Sequence, residues 1–330
     1  MSYKRLDADD FLVSVDSITS TVWSDNAPTL ETFFTASTGA STNDAFYRNV
    51  YKTAASESIQ FAVAYGDMDG SGSVLYNNLV DGNSSSKTVY GQFRNLVYGD
   101  ENTDFSFEGT TPKNIWAVPV ERARYKERLM PGTLNLKLSS GSVNLELTDN
   151  SAMVTTDTFL ECGRVYQLIS GSNGAAFSDA GNGHSTSNGT YGLFLPDVSL
   201  IILNPLAIAE GIPLATTDRT SNVVGDNIGQ AVRLFKDGAS FGLNSEETLT
   251  SDFVFVRARN SEFNYSENPS FISGSTGDVL YSSMINSPQS FLTTVGLYND
   301  TNELLAVAKL SKPLTKDFTK ETLLRVKLDF

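Results

Sequence analysis

Asp67-Met-Asp-Gly-Ser-Gly-Ser-Val74 is the segment whose residue types come nearest to chemistry. Carboxylates at the first and third positions, a hydroxyl at the fifth, glycine at the sixth and an apolar residue at the eighth match the start of a calcium loop. Asp67, Asp69 and Ser71 are therefore the candidate metal ligands. Calcium wants about six to eight oxygens, and a bidentate glutamate at the twelfth position normally supplies two of them. That position here is Asn78, which offers one neutral oxygen, and Leu79-Val80-Asp81-Gly82 runs on as loop rather than as an amphipathic helix. A turn whose glycines take positive φ is the favoured reading, with calcium the lesser one, so the expectation is no bound cofactor or metal.

The remaining catalytic inventory is thin. His184 is the sole histidine, set among glycines and serines that would hold a general base poorly, and it reads as an exposed loop residue. Cys162 is the sole cysteine, which excludes an internal disulfide and fits a small buried side chain before Gly163. The neighbouring carboxylates Glu246-Glu247 and Asp100-Glu101 point apart on turns, unlike the facing pair of a glycosidase. No GxxxxGK[ST] stretch exists to cradle phosphate. Asn83-Ser-Ser, Asn188-Gly-Thr and Asn264-Tyr-Ser spell glycosylation sites, but the opening MSYKRLDADD lacks a signal-peptide core. These readings point away from an enzyme.

The elements that would position such residues are mostly strands. Leu134, Leu136 and Leu138 alternate with polar residues up to Ser139-Ser140-Gly141-Ser142, then Val143, Leu145 and Leu147 alternate back, which predicts a hairpin with one apolar face. A second hairpin is predicted from Phe291–Val295 and Leu304–Leu310 around Asn299-Asp300-Thr301-Asn302. Pro313 is expected to break its second strand before a final one leading to Phe330. Further strands are expected at Ile59–Tyr65, Ile115–Val120, Arg164–Ile169, Ser199–Leu203, Val232–Phe235 and Phe253–Ala258. Phe11 to Trp23 also reads as a strand, with Phe11, Val13, Val15 and Ile18 inward. Helical spacing is confined to Asn43–Tyr51 and one turn at Leu206–Glu210, while Gly70–Ser73, Asp81–Ser86 and Gly171–Thr190 read as loops. The fold class is mainly β, in antiparallel sheets or a sandwich, with one or two short helices. A discontinuous arrangement is expected, residues 1–92 and 250–330 joining both termini in one domain and 93–249 inserted as another.

Phe263-Asn-Tyr-Ser-Glu-Asn-Pro-Ser-Phe271 carries aromatics in a loop, since Asn268-Pro269 bars regular structure. Phe263, Tyr265 and Phe271 either fill the domain's own core or anchor a neighbouring subunit, and they are the candidate partner contacts. This segment also carries a resemblance. With TTVGLYNDTNELLAVAKLSKP, the closing RVKLDF, FAVAYGDMDGSGS, VYGQFRNLVYGDENTDFSF and ERARYKERLMPGTLNLKLS, it resembles virion structural proteins of T4-like cyanobacterial myoviruses over most of the chain. The most similar type is a baseplate wedge subunit of the contractile tail. Phe46-Tyr47-Arg48-Asn49, Ile59–Tyr65 and Phe330 would fill the places of that type's Asn-Phe-Tyr segment, its following strand and its closing aromatic. The resemblance implies a homodimer within a larger assembly of tail proteins, located in the virion and put together in the host cytoplasm. A neck, collar or capsid-surface protein is the alternative. A receptor- or carbohydrate-binding protein at a tail-fibre tip is another.

Composition fits these expectations. Thirty-eight Asp and Glu against twenty-four Lys and Arg leave a net charge of −14, which opposes binding to a phosphate backbone. Arg122, Arg124, Lys126 and Arg128 are interleaved with Glu121 and Glu127 and read as solvated charge rather than as a nucleic-acid patch. Acidity would keep an assembly protein soluble until it meets a basic partner surface. The longest apolar run, near Ser199 to Leu206, is far short of a membrane span, so membrane insertion is not expected.

Overall fold

The computed structural model describes residues 4–22, 35–37, 47–51, 58–72, 84–177, 186–212, 214, 226–235 and 239–329. The protein is mainly β, with 48% of residues in strands. The chain begins with β1 (Phe11–Thr21), β2 (Thr35–Ser37), β3 (Tyr47–Tyr51), β4 (Ile59–Asp67), α1 (Ser85–Tyr98) and β5 (Asn114–Pro119). There follow β6 (Arg128–Leu129), β7 (Asn135–Ser140), β8 (Val143–Asp149), β9 (Thr158–Leu160), β10 (Gly163–Ser172), β11 (Ala175–Ala176), β12 (Gly192–Leu195) and β13 (Leu200–Leu203). The last part holds α2 (Pro205–Gly211), α3 (Asp226–Leu234), β14 (Ser240–Gly242), β15 (Asn244–Ala258), α4 (Ser283–Asn286), β16 (Gln289–Tyr298), β17 (Leu304–Asp317) and β18 (Thr322–Asp329).

Two compact units divide the chain, Ser17–Glu247 on one side and Met1–Asp16 with Thr248–Phe330 on the other. The larger unit is built on a curled antiparallel sheet in the order β14-β7-β8-β10-β12-β13-β5-β4-β3-β2, with β9 and β11 attached to β10. Its middle strands are buried on both faces, and every residue of β12 and β13 is buried. Alternation along β4 and β5 explains this. Phe61, Val63 and Tyr65 join Trp116 and Val118 in a core that also takes Ala207 and Ile208 of α2 and Ile228, Ala231 and Val232 of α3. Ala64, Ile115 and Ala117 face the other way, into a core with Val89, Tyr90 and Val97 of α1 and with Phe105 and Phe107. Each large apolar side chain so buried stabilises the unit by roughly 1.5–3 kcal/mol.

α1 lies close against β4 because Gly66 has no side chain: a Cβ there would stand 2.9 Å from the backbone nitrogen of Tyr90. Ser84 caps the helix, its Oγ accepting from Lys87 N at 3.4 Å while donating to Gly70 O at 2.7 Å. The smaller unit is different in kind. In it β15 pairs with β18 from Ser251↔Asp329 to Ala258↔Thr322, and β16 pairs with β17 as a long hairpin. Among the described residues it buries only Val254, Ala258 and Val326 of its apolar side chains.

Several expectations hold. β7 and β8 pair as Leu136↔Leu147 and Leu138↔Leu145 around a two-residue turn, and α2 forms with Asn204 as its N-cap. Others are corrected. Residues 47–51 of the expected helix Asn43–Tyr51 form β3, because pairing with β4 from Tyr47↔Ala64 to Tyr51↔Ile59 overrides local spacing; residues 43–46 lie outside the described ones. Val232 to Leu234 close α3 and Phe235 follows in a turn, rather than forming a strand, and the apolar residues continue a helical stripe from Ile228 through Ala231. The expected loop at residues 81–86 ends in the start of α1. Pro313 does not end β17: the register shifts between Leu292↔Leu314 and Thr294↔Lys309, and the proline sits in that bulge. Phe11, Val13, Val15 and Ile18 of β1 do not face inward but are 48–63% exposed. The units part at Asp16 and Thr248 rather than at 92 and 250, since β4 pairs with β5 and not with the C-terminal hairpin.

Candidate functional site

The aromatic loop of the smaller unit is held by a buried lysine. Lys316, at the end of β17, is 0% exposed, and its Nζ donates to Asn264 Oδ1 at 2.8 Å, Asp317 O at 3.0 Å and Asn260 O at 3.1 Å. Three donors meet three carbonyl oxygens, so the ammonium is fully satisfied. Asn264 returns its Nδ2 to Asn260 O at 2.7 Å, and Ser290 Oγ of β16 donates to Phe263 O. Phe263 itself takes φ +56°, an uncommon conformation for a bulky residue that these bonds hold in place.

This anchoring presents the candidate contact residues unequally. Tyr265 is 57% exposed and meets Phe271 edge-to-face at 5.9 Å, whereas Phe263 and Phe271 are partly covered. Exposure extends beyond the loop, to residues that the motif reading missed. Phe291 on β16, Leu304, Leu305 and Val307 on β17 and Leu323 on β18 are all more than half exposed. Strand alternation was visible in the sequence, but nothing there says which strand lacks a partner layer. Six Lys and Arg lie between Leu304 and Asp329, against Asp317, Glu321 and Asp329, so this part of an acidic chain is locally basic.

The loop after β4 is built as a turn. Asp67 is fully buried, and its Oδ1 accepts from Asp69 N at 3.0 Å and Ser71 N at 2.9 Å. Asp69 points instead to Lys113, at 2.9 Å, and the Ser71 carbonyl accepts from Ser86 Oγ at 2.9 Å. Asp67 thus caps the turn and Asp69 pairs with Lys113, while Asn78 lies outside the described residues. Among the described residues, no group of three or more His, Cys, Asp or Glu is placed to hold a metal ion.

A half-buried ion network occupies the other carboxylate-rich place. Asp197 Oδ2 accepts from Arg164 N at 2.8 Å and its Oδ1 from Arg164 Nη2 at 2.7 Å, while Glu246 Oε2 accepts from Arg128 Nε at 2.8 Å. Burial pushes the Asp197 carboxyl up, but the hydrogen bonds and charge of Arg164 outweigh it and hold the group below the usual carboxylate range. The basic run and the acidic pair that looked separate in sequence thus meet: Arg128 pairs with Glu246, and Lys126 lies 3.8 Å from Glu247. Asp100 caps its own turn, accepting from Asn102 N at 2.9 Å. Burial, with the nearby Asp197 charge, pushes the Cys162 thiol up and disfavours a nucleophilic thiolate. His184 lies outside the described residues.

No family model, curated protein or solved structure matches this chain.

Proposed function

We propose that this chain is a non-enzymatic structural protein of a phage virion that works through protein–protein contacts made by its smaller unit. The observation that carries this reading is the distribution of apolar side chains. Strands β16 to β18 and the start of β1 expose Phe11, Val13, Phe291, Leu305, Val307 and Leu323 to solvent, on a unit that buries only three apolar residues among those described. Apolar area of this kind gains free energy only when another surface covers it. Five exposed basic side chains, Lys309, Lys312, Lys320, Arg325 and Lys327, are interleaved with it and suit an acidic partner surface. The groups weighed for catalysis favour the same reading, because Glu246 is engaged by Arg128 and the Cys162 thiol is disfavoured as a thiolate.

Within the virion, the resemblance in sequence favours the baseplate wedge of a contractile tail. There the subunit would meet a second copy and other tail proteins. An epitope inserted in the exposed loop Asn299–Glu303 of the phage-encoded protein, followed by gold labelling of intact particles, tests the location. Label at the baseplate supports the wedge, and label at the head, neck or fibre tip moves the protein there. Absence of the protein from washed particles by mass spectrometry overturns the structural role altogether.

A further inference from the structure

We propose that Asn114, Trp116 and Asn227 enclose a site for one ordered water molecule, between β4, β5 and α3 and beneath the turn at residues 69–72. These side chains are 6%, 3% and 7% exposed, and Asn114 Oδ1, Trp116 Nε1 and Asn227 Nδ2 have no hydrogen-bond partner. A buried amide or indole without a partner costs free energy, so each of the three calls for a hydrogen-bonding ligand.

Backbone geometry puts Asn114 and Trp116 on one face of the sheet. Met68 N donates to Lys113 O, so the neighbouring pairs Asp67↔Asn114 and Tyr65↔Trp116 are the close, non-hydrogen-bonded kind, with side chains side by side on one face. Tyr65 and Trp116 share one core with Ile228 of α3, the residue after Asn227. Gly72 closes the arrangement from above. A Cβ built on it would lie 2.4 Å from Asn227 Nδ2 and 2.8 Å from Tyr65 Oη, so those two polar atoms flank the same point.

The mixture of unpartnered atoms identifies the ligand chemistry. Trp116 Nε1 and Asn227 Nδ2 are donors in need of an acceptor, whereas Asn114 Oδ1 is an acceptor in need of a donor. A cation would satisfy only the oxygen, and an anion only the nitrogens. Water accepts two hydrogen bonds and donates two, so it serves all three and has one proton left for the adjoining Asp67 carboxylate.

The test uses the full chain. A crystal structure at about 1.5 Å should show density ~2.7–3.2 Å from both Asn114 Oδ1 and Trp116 Nε1. In solution, Trp23→Phe leaves Trp116 as the sole indole, and its N–H should show cross-relaxation with long-lived water that is lost in the added variant Asn114→Leu. Missing density, or a folded Trp23→Phe protein without that cross-relaxation, overturns the proposal. An atom ~2.3–2.6 Å from Asp67 and Asn114 also overturns it, because that spacing belongs to calcium. The crystal measurement needs no variant, so misfolding of Asn114→Leu would not shelter the proposal.

Discussion

At Asp197, burial and hydrogen bonding pull one carboxyl in opposite directions, and the arginine wins. A depressed carboxylate contributes stability that is present above its unfolded value, about 3.9, and is lost as pH falls through the folded one. Asp197→Asn should therefore lower stability at neutral pH by roughly 1–2 kcal/mol and flatten the loss below about pH 4, as read by urea melts across pH. Phenols give the opposite limb. Burial pushes Tyr90 and Tyr166 up to about 12, the Asp157 carboxylate adding to the effect at Tyr166. A raised value contributes stability that is complete below the ordinary phenol range, near 10, and lost as pH rises through about 12. Absorbance titration at 295 nm should show these two phenols ionising above the ordinary phenol range, and Tyr90→Phe should remove the late step assigned to that residue. Lys316→Met leaves the Asn264 carbonyl oxygen buried without its donor and should cost roughly 2 kcal/mol, with amide exchange quickening across residues 260–271. Residue types alone did not disclose such sites: Lys316 looks like any strand lysine until Asn260 and Asn264 fold back over it.

Among elements, hairpins were the most legible, because alternation and a short polar turn fix both existence and register, as in β7–β8. Elements decided by distant partners were not. Residues 47–51 became a strand by pairing with β4, and the short apolar run at 232–235 fits a helix as well as a strand until α3 is seen against the sheet. α1 went unread because glycine and β-branched residues dilute its propensity, while its position depends on Gly66 of a separate strand. The proposed contact surface was legible only in part: the aromatic loop stood out, but the bare faces of β16 and β17 did not. Leu305→Asp and Val307→Asp provide the discriminating measurement, since both residues are more than half exposed. Melting of the isolated chain should change by less than about 0.5 kcal/mol, while incorporation into particles should fall sharply. Unchanged incorporation would remove β17 from the contact surface.

For the whole molecule, the buried apolar residues concentrate in one unit and the exposed ones in the unit proposed to dock. Residues 17–247 contain both hydrophobic cores, so a fragment of those residues should retain a cooperative thermal transition, whereas residues 248–330 alone should not, as followed by circular dichroism. A solvated sheet face also has a calorimetric consequence. Water already covers the apolar side chains of β16 and β17 in the native state, so unfolding the smaller unit adds little new hydration. The heat-capacity increment of the intact chain should therefore lie nearer that of residues 17–247 than chain length would suggest. The withheld part should reappear, with negative sign, in the heat capacity of assembly.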